Sequence, residues 1–318
     1  MIGSVNSQGG RILTDKINQE VRREMKRKII PPITTPIVDG EASREKLKFN
    51  IEKMNATKVG GYLVLGSNGE AVLLTEQEKL MAIETVKDYA SSGKVVVAGT
   101  GEESTKKTIA LTKKAAELGA DYALIGNPNY FKGAMTPANL YDHYVAVAEA
   151  STIPLIPYNS PGFTGINMVP DLIGKLSAHP NICGVKDGTG NMAQLAAFRR
   201  LAGEDFFIFT GNAPTFLAGL FVGVSSGMMP IANLHPDLWV DMMEQYDSGN
   251  IAEAKRIEAI LLPMTGAIMK YGAGGIKAAM EMLGYYGGPP LMPLKAPSQE
   301  GLDEIRAALD GVNAKVAS

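Results

Sequence analysis

Eight times along the chain, a short apolar run is followed by a polar turn and then an amphipathic helical stretch, at a spacing of about thirty residues. The runs lie at residues 28–37, 61–65, 95–99, 122–125, 153–158, 182–185, 206–210 and 226–229. Little sequence repeats beyond the pattern itself. Strict alternation of strand and helix implies a parallel sheet, because parallel neighbours must be joined by a crossover. Eight such units in 318 residues fit a closed (β/α)8 TIM barrel better than an open sheet. An open doubly wound sheet calls for a glycine-rich dinucleotide turn after its first strand. None follows Ile37, and no Walker lysine loop occurs. Pro154 and Pro157 weaken the fifth run as a strand on pattern alone.

Helix signals separate the runs. Ser43, Thr75 with Glu78, Thr136 before Pro137, and Asn191 with Gln194 are predicted N-termini; Gly119 and Gly203 are predicted stops. After residue 249 no strand is predicted. Asn250 is placed to cap a long helix carrying Ile257, Leu261, Met264 and Ile268, and residues 274–283 and 301–309 read as two more. The expected organisation is a mobile tail at 1–25, the barrel at 26–249 and a C-terminal helical appendage at 250–318. A net charge of −2 with both signs dispersed argues against a nucleic-acid partner or a membrane-surface patch. No apolar run approaches the roughly 20 residues that span a bilayer. Cys183 is the single cysteine, which excludes an internal disulfide framework and a cysteine metal cage. The chain suits a reducing compartment, expected to be the cytoplasm. The interrupted basic stretch Arg22, Arg23, Lys26, Arg27 and Lys28 gives weak support to mitochondrial import.

In barrels of this kind the working residues gather at the carboxyl ends of the strands. Those ends carry Thr34 and Thr35, the loop Gly66 to Glu70, Tyr130, Tyr158, Lys186, Gly211 and Met229. Lys186 closes a buried strand. Burying an ammonium is costly, so a lysine there tends to lose its proton and become a nucleophile for carbonyl carbon. A strand-end lysine that reaches solvent or pairs with Asp187 is the alternative. Ser67 and Asn68, with glycine-freed N–H groups around them, suit a carboxylate. The Tyr158 hydroxyl is placed to move a proton near the amine. Cys183, an odd number of positions from Lys186, is expected to point to the opposite face of the strand.

Three segments carry a resemblance. Gly66-Ser67-Asn68-Gly69-Glu70, Tyr158-Asn159-Ser160-Pro161 and Gly184-Val185-Lys186-Asp187 stand in order, each at a predicted strand end. Together they resemble the pyruvate-dependent class I aldolases that include dihydrodipicolinate synthase and N-acetylneuraminate lyase, over most of the chain from about residue 29. The resemblance implies a lyase in which Lys186 forms a Schiff base with a 2-oxo acid. Ser67 and Asn68 hold its carboxylate, Tyr158 relays protons, and Gly66, Phe163, Gly211 and Met229 line the pocket. Tyr130 stands where the synthases carry a tyrosine donated across a subunit interface, in a homotetramer. No metal and no dissociable cofactor are implied. His143, His179 and His235 show no metal-ligand spacing.

Phe163 occupies the position where the synthases place an arginine for the second substrate's carboxylate, and phenylalanine cannot form that bidentate pair. The loop form, His179-Pro180-Asn181-Ile182 and the late Gly284-Tyr285-Tyr286-Gly287-Gly288-Pro289 are similar to 4-hydroxy-2-oxoglutarate aldolases, with 2-keto-3-deoxy sugar-acid aldolases near. The expected substrates are therefore such a 2-oxo acid and the aldehyde it releases. Dihydrodipicolinate synthesis, dehydration of a 2-keto-3-deoxy acid, and a silent 2-oxo-acid-binding barrel are the alternatives.

Overall fold

The computed structural model of the chain describes residues 25–316. The expected mobile tail lies outside the described residues except for Met25. That residue is buried within the barrel, so barrel packing starts one position earlier than expected. After a small antiparallel hairpin, β1 (Ile37–Val38) and β2 (Glu41–Ala42), seven strands form a parallel sheet in sequential order. They are β3 (Gly61–Val64), β4 (Val95–Gly99), β5 (Tyr122–Gly126), β6 (Leu155–Asn159), β7 (Gly184–Asp187), β8 (Phe207–Thr210) and β9 (Ser226–Gly227).

The eighth stave, expected at residues 28–37, is no regular strand. Ile29 bridges Gly227 and Pro32 bridges Leu63, so residues 29–33 close the circle between β9 and β3. Backbone bonds sew both edges: Ile30 N donates to Gly227 O (2.8 Å) and Ile33 N to Leu63 O (3.0 Å). The reason lies in Pro31 and Pro32, which have no N–H to give a ladder. Arg27 N to Ser225 O, Gly227 N to Lys28 O, Gly60 N to Ile29 O and Leu63 N to Pro31 O complete the seam, and the barrel is closed.

Among the helices between strands, α1 (Arg44–Asn55), α2 (Glu76–Tyr89), α3 (Thr105–Glu117), α4 (Pro137–Ala150) and α7 (Met192–Ala202) begin at the predicted caps or, for α3, at Ser104. The capping box of Thr75 and Glu78 is formed in both directions. The others are the four-residue α5 (Pro161–Thr164), then α6 (Pro170–Leu176), α8 (Phe216–Phe221) and α9 (Pro236–Asp247). The C-terminal region is α10 (Ile251–Met269), α11 (Gly272–Met282) and α12 (Gln299–Val316), the last much longer than expected. Asn250 does not cap α10; its side chain bonds Gln245 instead. Among the described residues no helix is long and apolar enough to cross a membrane.

Two packed layers follow from the strand period of two. Ile30, Leu63, Val97, Leu124, Ile156, Phe207, Phe209 and Met228 fill the barrel interior. Val64, Val96, Ile125, Val185 and Ile208 face outward onto the helices. Each such aliphatic residue contributes about 1.5–3 kcal/mol on full burial.

One break in the period decides where the lysine points. Leu155 bridges Ile182, but Tyr158 is paired with Lys186. Ile156 and Pro157 are therefore opposed by Cys183, Gly184 and Val185, a bulge placed opposite the proline that cannot donate. Gly184 suits the bulge because a Cβ there would meet Phe207 O at 2.7 Å and the Phe209 ring at 3.0 Å. The extra residue reverses the parity count. Cys183 is inside the barrel with Lys186, not on the opposite face as expected, while Ile182 and Val185 both face outward.

Candidate active site

Lys186 and Tyr158 are partners on one rung of the β6–β7 ladder, both directed inward. The Lys186 Nζ lies 4.2 Å from the centroid of the Tyr158 ring, and Gly211 packs beside the lysine stem. A Cβ at Gly211 would come within 3.3 Å of Lys186 Cε, so a larger residue would press on the amine's support. Lys186 is 3% exposed, and burial brings its pKa down to about 7. Among the described residues no carboxylate acts to hold its proton on, Asp187 included. Asp187 faces the other way and is occupied by neutral donors: Asn159 Nδ2 at 2.8 Å, Gln194 Nε2 at 2.9 Å, and both Thr189 N (2.8 Å) and Thr189 Oγ1 (2.5 Å).

The hydroxyls of Ser160 and Ser67 neighbour that of Tyr158 closely enough to act on its titration. Burial raises the Tyr158 pKa, and those two hydroxyls act against the rise. Ser67 and Asn68 lie on a single 3-10 turn, Ser67–Gly69, entered through extended Gly66 and left through Glu70 at φ 56°. A left-handed non-glycine residue is costly unless its surroundings impose it. Here the Glu70 side chain is buried and ion-paired with Lys277 of α11, and its Oε2 accepts from Leu291 N at 2.5 Å. Thr35 Oγ1 donates to Gly69 O at 2.7 Å, tying down the other side of the turn.

A cavity of about 330 Å³ opens beside this group. Gly66, Ser67, Tyr158, Ser160, Phe163 and Thr164 line it, with Lys79, Glu102 and Glu103 farther along the wall. Lys79 is paired with Glu102 at 2.5 Å. Glu103 Oε2 accepts from both Asn129 N and Tyr130 N, each at 2.9 Å. Phe163 is 70% exposed at the rim. Lys186, Asn68 and Gly211 are not among the residues that line it, and two further expected members stand apart. Met229 is fully buried in the helix-facing core, because it is Met228 that takes the inward position. Tyr130 is 80% exposed and stacks edge-on with Phe131 on the surface. Of the histidines, His143 Nδ1 bonds Thr105 Oγ1 (2.9 Å) and His179 Nδ1 accepts from Asn181 N (3.1 Å), whereas His235 Nε2 is buried with no hydrogen-bond partner among the described residues.

A profile of the Dihydrodipicolinate synthetase family matches residues 25–311, with the three motif segments inside it. The chain belongs to that family. A probable mitochondrial 4-hydroxy-2-oxoglutarate aldolase of Emericella nidulans is 35% identical over 292 residues, covering 89% of this chain and 94% of that protein. A 4-hydroxy-tetrahydrodipicolinate synthase of Desulforudis audaxviator is 37% identical over 250 residues, covering 78% of this chain and 84% of that one. The crystal structure of dihydrodipicolinate synthase from Thermotoga maritima superposes with a TM-score of 0.87 at 26% identity, covering 91% of this chain and 99% of that one. Membership places the chain among lyases of the aldolase type on a TIM barrel.

Sequence reasoning about the family's motifs passed over three residues. Glu70 is in the quoted loop motif, and its isolation among apolar residues and glycine is a signal that it must be paired. Lys277 lies in a C-terminal helix with no local cue. Asp187 reads as a partner for Lys186, yet the two are neighbours on one strand and its period of two aims them apart.

Proposed function

We propose that this protein is a Schiff-base-forming class I aldolase that splits a 2-oxo acid into pyruvate and an aldehyde, or joins them. 4-Hydroxy-2-oxoglutarate or a 2-keto-3-deoxy sugar acid is the proposed substrate. The observation that carries the reading is the buried, unpaired Lys186 amine, with its pKa brought to about 7, on one rung with Tyr158. Ser67 and Asn68 receive the carboxylate. Lys186 attacks the C2 carbonyl, water leaves, and the resulting iminium draws in the electron pair freed when the C3–C4 bond breaks. Tyr158 accepts the C4 hydroxyl proton while its own passes to Ser67 or Ser160, whose hydroxyl proton moves on to water in the cavity. A phenol with a raised pKa suits such a relay, since no free phenolate need form. The aldehyde leaves, the enamine is protonated at C3, and water returns pyruvate and the free lysine. This chemistry calls for no metal and no dissociable cofactor. We place it in the cytoplasm or, as the name of the Emericella relative has it, the mitochondrion.

Phe163 at the cavity rim supports the choice of substrate. A missing bidentate arginine removes about 1.5–3 kcal/mol of charged hydrogen bonding, or roughly tenfold to a few hundredfold in transition-state binding. Cleavage of 4-hydroxy-2-oxoglutarate or a 2-keto-3-deoxy sugar acid is therefore expected to exceed condensation of aspartate semialdehyde in kcat/KM. All three are to be run side by side. Phe163→Arg should raise the condensation. Efficient condensation by the unaltered protein would overturn the substrate choice in favour of the synthase.

The exposed Tyr130–Phe131 pair supports a second expectation, assembly as a homotetramer in which Tyr130 meets a neighbouring subunit's site. Sedimentation at assay concentration should report four chains per particle. A stable, fully active monomer would refute it.

A further inference from the structure

Glu70 and Lys277 are both buried and form an ion pair. Glu70 directly follows the Ser67–Gly69 turn; Lys277 projects from α11, which packs on that turn. The Lys277 Nζ also donates to Pro289 O at 2.9 Å, and the second Glu70 oxygen accepts from Leu291 N. Gly287 lies so close that a Cβ there would sit 2.0 Å from Lys277 O. The carboxylate-holding turn is thus bolted to the C-terminal helical region rather than to the barrel alone.

An unpaired Glu70 carboxylate directly behind a turn that must receive a carboxylate would repel the ligand across a low-dielectric gap. We infer that Lys277 is a positioning residue for the 2-oxo acid. Its ammonium cancels the Glu70 charge behind the Ser67–Asn68 turn, while the bond from Leu291 N to the Glu70 side chain holds the left-handed exit from that turn. The C-terminal helices are in this sense part of the binding apparatus. The inference rests on the reading of Ser67 and Asn68 as the carboxylate holders.

It predicts an asymmetry. In Lys277→Met the carboxylate loses its cation and keeps only the Leu291 N–H donor. In Glu70→Gln the lone amine, whose pKa burial already lowers, gives up its proton, and the glutamine oxygen still accepts from Leu291 N. Pyruvate affinity is to be measured by calorimetry on the full chain, with borohydride trapping in parallel. The KM for the aldehyde is measured at saturating pyruvate. Lys277→Met should weaken pyruvate binding on the order of tenfold or more, and Glu70→Gln by less than about threefold. The double variant should return to within about threefold of the unaltered protein, with the aldehyde KM unmoved throughout. If Lys277→Met cannot be isolated folded, Lys277→Gln replaces it with the same expectation. A folded variant with unchanged pyruvate affinity would overturn the inference. So would a double variant no better than Lys277→Met, or an aldehyde KM that rises in parallel. The predicted order of affinities without trapping in the unaltered protein would uphold the pair and sink the Schiff base. Trapping with equal affinities would do the reverse.

Discussion

Lys186→Ala is expected to abolish turnover, by about four orders of magnitude or more, and with it all covalent labelling by pyruvate and borohydride. In the unaltered protein borohydride should reduce the imine to one stable secondary amine per chain, located at Lys186 by mass spectrometry. Lys186→Arg should fail as completely, because a guanidinium keeps its proton and does not attack carbonyl carbon. The effect is large because the rung beside Tyr158 supplies one amine freed from charge by burial. The same burial sets a pH profile. The nucleophile is the neutral amine, so activity falls as the amine gains its proton. With a pKa of about 7, kcat/KM should rise about tenfold per pH unit below 7 and level off above it. An ordinary lysine would keep rising to about pH 10. Labelling that persists in Lys186→Ala, or a profile still climbing at pH 9, would remove Lys186 from the reaction.

Tyr158→Phe is expected to lower kcat by about 10²- to 10⁴-fold while leaving imine formation detectable. Phenylalanine keeps the ring beside Lys186 Nζ, so the amine's apolar support survives. What it removes is the hydroxyl beside Ser67 and Ser160, and with it the proposed route for the C4 proton. The separation of the two effects is the test. Trapped imine should still accumulate with pyruvate, but aldehyde release should nearly stop. Equal loss of trapping and turnover would assign Tyr158 to packing. Turnover within threefold of the unaltered protein would place the proton route elsewhere.

The barrel is legible in the sequence because its rule is local. Apolar runs alternate with capped helices, and Ser43, Thr75 with Glu78, and Asn191 each begin the helix they signal. Pro157 lies inside a central strand that pattern alone argues against, tolerated because the partner strand bulges opposite it. That bulge depends on which residue of β7 faces which residue of β6, and no single strand carries the information. Counting positions from Lys186 therefore puts Cys183 on the wrong face, and a similar shift exchanges Met229 for Met228. Lys186, Tyr158 and Ser67 are visible as strand-end residues. The partner that holds their neighbour Glu70 is not, since Lys277 is brought to it only by the folding back of α11.

The closure at residues 29–33 gives the barrel a seam with a definite orientation. It borders β3, whose end carries the Ser67–Asn68 turn, and it lies across the circle from the β6–β7 rung. Pro31 and Pro32 can sit only where the ladder asks for no donor, so the seam fits in one register. The side that admits and releases the acid is thereby held in a fixed alignment with the side that makes and breaks the covalent bond.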